Sequence, residues 1–486
     1  MHDGNVSGQR FFLVGIGGSG MMPLAMILAG RGAIVAGSDR GLDQGRVPAK
    51  FDALRAQGIA LFPQDGSGIS DAAQIVVASA AVEDDVADMV AARARGCARM
   101  SRAELNAALF NASGIAIGVA GTSGKSTVTG MIAAILHHAG LDPTVMNGAV
   151  MKDFAAPDRP FASALVGGTA LYVSEVDESD GSIALYRPQV AVLNNVSLDH
   201  KSLDELNRLF AAFVAGARTA VVNADNNDAA ALAMTLPRTR VTSFSLRDAA
   251  ADLFADAVEE AEFAARFMLH HRGQPVRRVV LRVPGRHNVA NALAAIGAAL
   301  AAGVALEQAL AGIEQFSGLR RRFDHVGAGG GVTVIDDFGH NPDKIAATLD
   351  TLHAFPGRVI ALFQPHGYGP LKMMRAELVD MFARRLATDD LLILPDPVYQ
   401  GGTVVREVTS ADIAADIVRA GRQALHIPDR EAAAAHGIAV ARPGDRIVVM
   451  GARDDTLSLL AQDMVRRLDR TAAMAPASDA VSRGES

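Results

Sequence analysis

The stretch "GVAGTSGKSTVTG", residues 118–130, decides how the rest of this chain is read. It follows the apolar run Gly114-Ile115-Ala116-Ile117-Gly118-Val119-Ala120 and precedes Met131-Ile132-Ala133-Ala134-Ile135-Leu136. A buried strand, a turn and a helix opening are therefore expected, which is where a phosphate-binding loop belongs. Gly121 and Gly124 let the backbone wrap a polyphosphate with successive N–H groups turned inward, and the helix opening near Ser126 adds the positive end of its dipole. Lys125 supplies a mobile charge for the terminal phosphates, and the Ser126 hydroxyl suits Mg²⁺. The usual pattern has glycine at 119, where this chain has Val119 one residue after Gly118. The run G-T-S-G-K-S-T directly after a strand still marks such a loop.

Magnesium needs oxygen ligands beyond a hydroxyl and the phosphates themselves. The next apolar strand ends in "SEVDESDG", which crowds Glu175, Asp177, Glu178 and Asp180 together. Like charges this close are costly unless a cation or basic group faces them. In "NNVSLDHKSLD" a third strand end carries Asp199 and His200, a candidate for metal or phosphate contact.

Three α/β segments are expected around this loop. Residues 11–39 read strand, glycine turn, helix, strand, with "GIGGSG" fitting G-x-G-x-x-G through Gly15, Gly17 and Gly20, and Asp39 standing where a ribose-binding acid is expected. A second strand there, Ile75-Val76-Val77-Ala78, ends in Ser79-Ala80-Ala81. Taken alone, this segment, residues 1–112, is a Rossmann-like dinucleotide-binding domain. Residues 113–318 alternate helix and strand signals, as in a P-loop ATPase with a parallel sheet. From 319 to 470, "GVTVIDDFGHNPD", "RVIALFQPHGYG", "DLLILPD" and "RIVVMGARDD" are apolar strands with polar or glycine-rich carboxyl ends, the mark of an open parallel sheet and its crevice. The small, polar residues 471–486 are expected to be a disordered tail.

The formal net charge is −7 with no basic block, so no nucleic-acid partner is expected, and negative substrates must be held locally. Cys97 stands alone, which excludes an internal disulfide and favours a reducing compartment. No signal peptide is evident, and the most apolar span, Val289 to Leu306, is Ala- and Gly-rich and reads as a packed helix. A cytoplasmic protein without a membrane partner is expected.

The ordered motifs "AGTSGKST", "EVDESD", "NNVSLDH", "GRHNVANALAA", "LRRRFD" and "DDFGHNPD" together resemble the Mur ligase family, ATP-dependent amide-forming enzymes of peptidoglycan synthesis. The resemblance spans residues 11 to about 465. It implies that the first segment, also Rossmann-like, holds a UDP-sugar and no nicotinamide, with Gly15, Gly17, Gly18, Gly20, Asp39 and Ser79 around uridine and diphosphate, and with Asn195 near the sugar. It implies that Gly121, Thr122, Ser123, Gly124, Lys125, Ser126 and Thr127 hold the phosphates of ATP. Lys125, Glu175 and His200 are then the catalytic candidates, with Ser126 and Glu175 on one Mg²⁺ and His200 near a second. His287, Asn288 and Asn291 match an adenine-side motif. Arg322 and Asp336 or Asp337 are expected to reach the nucleotide from the third, Rossmann-like domain when it closes. A lysine that other branches carbamylate has no evident counterpart.

"GIGGSGM", "GSD" at 37–39 and "FQPH" at 363–366 look most like the branch that joins the carboxylate of UDP-N-acetylmuramate to a single small amino acid, L-alanine foremost. That branch typically continues after "FQPH" with two arginines at the amino-acid end of the site. Here Gly367 and Pro370 stand in those places, and His366, Lys372 and Arg375 are the remaining acceptor candidates. Other readings stay open: a ligase recycling L-alanyl-γ-D-glutamyl-diaminopimelate onto the same UDP-sugar, an NAD-dependent oxidoreductase built on "GIGGSG", or a non-catalytic nucleotide-binding partner.

Overall fold

The computed structural model describes residues 4–79, 82–197, 202–398, 406–452 and 454–474, and it carries three sheets. The expected α/β fold with three domains is what the chain adopts. Residues 1–320 form one compact unit holding two of the sheets, and residues from Arg321 onward form another.

In the first sheet, Arg10–Val14 lies between Ile34–Ser38 and Ile75–Ala78, with Ala60–Phe62 and Arg99–Ser101 at the edges, all parallel. This is the doubly wound order, and the strand order reverses beside Arg10–Val14, so the glycine turn at its carboxyl end sits at the switch point. The helix Met21–Gly30 buries Met21 through Leu28 on every side. It has no polar face because it is shared: it leans on the first sheet and also on the short strands Thr144–Met146 and Ala164–Leu165 of the second. Arg31, just beyond it, stacks its guanidinium 5.5 Å over the Tyr172 ring and donates to Thr144 Oγ1.

The second sheet is centred on Ile115–Ala120, flanked in parallel by Val190–Leu193 and Leu171–Glu175. The helices Lys125–His138 and Arg286–Ala301 pack against each other on one face. The second of these is alanine-rich and buried along its length, and small side chains let the two axes approach closely. Among the described residues, no helix is long and apolar enough to cross a membrane. The expected alternation of helix and strand fails between Leu253 and Leu281, where three antiparallel strands, Leu253–Ala261, Ala264–His271 and Gln274–Leu281, extend the sheet. Their inward residues, Ala255, Phe267, Leu269 and Val279 among them, join the core, while alternate residues face water. The hairpin Arg272-Gly273, both at positive φ, closes two of these strands and leaves no room for a crossover helix.

In the unit that starts at Arg321, Val332–Asp337, Arg446–Gly451, Val359–Gln364, Leu391–Leu394 and Ala424–His426 run parallel in that spatial order. Asp324–Gly329 pairs antiparallel at one edge. The closing helix Thr456–Met474 runs past Arg470, where a tail is expected to begin. The remainder of the expected tail lies outside the described residues.

Candidate functional site

The phosphate loop follows the central strand as expected, and the carboxyl ends of both neighbouring strands converge on it. Gly124 has φ +84°, and a Cβ there would stand 2.4 Å from Asn194 Nδ2 and 2.7 Å from Asn291 Oδ1. Only glycine fits both the backbone and the space. Asn194 Nδ2 lies 2.9 Å from Asn291 Oδ1, Asn291 donates to Asn288 Oδ1, and Asn288 donates to the Pro284 carbonyl. Asn288 and Asn291 are thus brought to the loop as buried struts, while His287 is exposed at the start of the same helix.

Asn195 is also brought to the loop. Its Oδ1 accepts from Thr122 Oγ1 and from the Ser123 N–H, and its Nδ2 donates to the Ser123 carbonyl. Its amide is hydrogen-bonded within the loop and helps to shape it. The first-turn amides from Lys125 to Thr127 are the ones a helix start leaves for an anion.

Ser126 Oγ donates to Glu175 Oε2 at 3.0 Å, and Glu175 Oε1 accepts from the Gly148 N–H. A hydroxyl at a helix start and a carboxylate at a strand end are hard oxygen donors, which suits Mg²⁺. Among the described residues no cluster of three or more His, Cys, Asp or Glu side chains could hold a metal, so this pair would need phosphate and water to complete a coordination shell. His200 lies outside the described residues.

Lys125 makes a contact that its spacing did not announce. Its Nζ lies 2.7 Å from the Gly121 carbonyl and 2.8 and 3.1 Å from the two carboxylate oxygens of Glu178. Burial raises the Glu178 pKa above its usual range, and Lys125 pulls the other way. Neighbouring Asp177 is held below its ordinary value, because Lys125 and the Ser179 hydrogen bonds outweigh the effect of burial.

At the first sheet, Gly15 and Gly18 form the tight turn, with the Gly18 N–H donating to the Gly15 carbonyl. Asp39 is committed inside that turn: it accepts from the Gly17 N–H at 2.8 Å and the Gly41 N–H at 2.7 Å. It therefore braces the glycine loop and caps the following helix. Gly20 opens the helix at 21, with the Arg102 side chain against it, and Ser79 stands at the end of Ile75–Ala78.

In the unit from Arg321 onward, Arg322 stacks 4.6 Å over Phe338 between two left-handed residues, Arg321 at φ +60° and Phe323 at +47°. Asp337 pins this strained bend by accepting from the Phe323 N–H, and it also accepts from Gly339 and Thr348. Asp336 is 1% exposed, accepts from Ser458 Oγ and faces Arg321. Burial pushes its carboxyl up to about 6. Both carboxylates thus find partners within their own unit. His366 packs edge-on against His340, whose pKa burial pushes down to about 3. Lys372 pairs with Glu407, and Arg375 pairs with Asp416 at 2.8 Å, both on partly solvated helices. In this structure both cations are engaged in surface ion pairs.

Residues 11–113 match the description "Mur ligase family, catalytic domain", 119–299 match "Mur ligase middle domain", and 321–453 match "Mur ligase, glutamate ligase domain". The chain is 35% identical over 456 residues to the UDP-N-acetylmuramate--L-alanine ligase of Geobacter sp. (strain M21), covering 91% of this chain and 95% of that one. The chain belongs to the Mur ligase family. Among solved structures, the UDP-N-acetylmuramate-alanine ligase of Thermotoga maritima has the same Mur ligase fold, with a TM-score of 0.78 at 24% identity over 95% of this chain and 99% of that one. A murein peptide ligase from Psychrobacter arcticus shares that fold at a TM-score of 0.69 and 24% identity, with coverage of 95% and 99%. Membership sets aside the oxidoreductase reading of "GIGGSG". Glu178, Asn194 and Asp39's bracing role escaped the sequence reading, and only the crowding of acids in "EVDESD" hinted at the first.

Proposed function

We propose that this Mur ligase joins the carboxylate of UDP-N-acetylmuramate to the amine of a single small amino acid, L-alanine foremost, at the expense of ATP, and does so in the cytoplasm. The observation that carries the reading is the likeness across nine-tenths of the chain to ligases named for that reaction. The glycine turn of the first sheet takes the UDP end of the substrate, and the phosphate loop takes ATP.

A carboxylate is a poor electrophile, so its oxygen attacks the γ-phosphorus of ATP, the bond to the β-phosphate oxygen breaks, and ADP leaves behind an acyl phosphate. The acceptor amine attacks the acyl carbon, inorganic phosphate departs, and the amine gives up a proton. Lys125 and the first-turn amides bind the phosphates and offset the repulsion between two anions brought together. Ser126 and Glu175 would hold Mg²⁺, which when bound neutralises phosphate charge. Asn195, Asn194 and Asn291 keep the loop in shape.

The test is an acceptor screen that follows phosphate release with ATP and UDP-N-acetylmuramate. Turnover with L-alanine, glycine or L-serine is expected. Turnover with L-alanyl-γ-D-glutamyl-diaminopimelate and with no single amino acid would replace this reading by the recycling one.

A further inference from the structure

Lys125 in this structure has no donor to give away. An ammonium carries three N–H bonds, and the three acceptors within reach are the Gly121 carbonyl and both oxygens of Glu178. The pair is sheltered, with side-chain exposure of 18% for Lys125 and 5% for Glu178, so water does little to screen it. Glu178 presents two anionic oxygens to the lysine, as a phosphate would. Its neighbour Glu175 is engaged elsewhere, on Ser126 and Gly148. One acidic run thus serves the metal-side hydroxyl with one carboxylate and the phosphate-side lysine with another.

We propose that Glu178 stands in for the terminal phosphates of the nucleotide, holding Lys125 until polyphosphate displaces it. Glu178 is then a positioning residue whose grip is subtracted from the affinity for ATP, and this rests on the reading of the loop as an ATP site. While the loop is empty, the carboxylate keeps a sheltered ammonium paired and aimed across the loop, so the lysine is already placed when the nucleotide arrives. On exchange the lysine stays paired, because one pair of anionic oxygens replaces another, and the release of Glu178 is what ATP binding has to supply.

Binding of ATP to the full chain by calorimetry, without the other substrates, tests this. In Glu178→Gln the amide keeps the shape and one acceptor but loses the charge, and ATP is expected to bind about tenfold more tightly, since a hydrogen bond to a charged group is exchanged for a neutral one. Glu178→Asp keeps the charge but draws it back by one methylene, so its two-oxygen grip on Lys125 fails; about threefold tightening is expected. Unchanged or weaker binding in Glu178→Gln overturns the inference. Tightening in the glutamine variant with none in the aspartate variant also overturns it, because simple repulsion between Glu178 and the phosphates would then be the cause. Failure of the unaltered chain to bind ATP at all is a different result: it removes the reading of the loop itself.

Discussion

Asn106 should reveal how the two sheets of the first unit are locked together. It lies on the helix Arg102–Asn111 and is 1% exposed. Its Oδ1 accepts from the Tyr172 hydroxyl at 2.8 Å, and its Nδ2 donates to Ser174 Oγ at 3.0 Å and to the Tyr186 hydroxyl at 2.9 Å. Tyr172 is 0% exposed, and burial lifts its pKa far above the ordinary value, so its hydroxyl is a neutral donor with no water to turn to. Asn106→Ala removes hydrogen bonds worth about 1 kcal/mol each and strands the Tyr172 donor, for a total of about 3 kcal/mol. Ser174 loses less, since it still donates to the Glu175 carbonyl. With an unfolding entropy of about 2.1 cal/mol/K per residue spread over the unit Met1–Arg320, the melting midpoint should fall by about 4–5 °C. Tyr172→Phe removes one hydroxyl and leaves only an acceptor short of a partner, so about 1 kcal/mol is expected. The double variant should be less destabilised than the sum by about 1 kcal/mol, because no donor is then stranded. Scanning calorimetry of the four proteins decides: strict additivity, or a shift under about 1 °C for Asn106→Ala, refutes the argument.

Two further outcomes follow from the same structure. Glu175→Ala should lower phosphate release at least about tenfold at ordinary Mg²⁺, and raised Mg²⁺ should restore part of it; the unaltered magnesium dependence in that variant would make Glu175 only a partner of Gly148. For Asp336, the folded pKa of about 6 exceeds the ordinary carboxyl value, so the folded state holds a proton that the unfolded state gives up. Its contribution is fully present below about pH 4 and is lost as pH rises through about 6, worth at most about 3 kcal/mol. Asp336→Asn should therefore flatten the fall in denaturation midpoint of its unit across that window, and an unchanged slope would mean that Asp336 is ionised throughout.

What the sequence made legible is what local chemistry dictates. Glycines at forced positive φ, apolar runs between them and a lysine-serine pair at a helix start are written in adjacent residues, and the loop, the parallel strands and the placing of Ser126 with Glu175 followed from them. What was not legible depends on where side chains turn once distant strands meet. Spacing alone cannot say that Glu175 faces Ser126 while Glu178, three residues on, faces Lys125. Nor can it say that Asn195 and Asp39, polar residues at strand ends, spend their acceptors on the backbone of their own loops. The same holds for Asp336 and Asp337, whose neighbours Ser458, Thr348 and Phe323 come from other parts of the unit.

The acceptor end shows this most sharply. Counting from "FQPH" nominated Lys372 and Arg375 to replace two missing arginines, yet each finds an acid closer at hand, Glu407 and Asp416. An ion pair already made on a helix surface has little to offer a free carboxylate, since the incoming anion would have to displace one that is tethered. With Gly367 at φ +145° opening a short helix where the first arginine would stand, that segment is built for its turn. With both cations already paired, the grip on a free amino acid should be weaker than a two-arginine clamp would give, and an acceptor KM that stays high for L-alanine is the expected result.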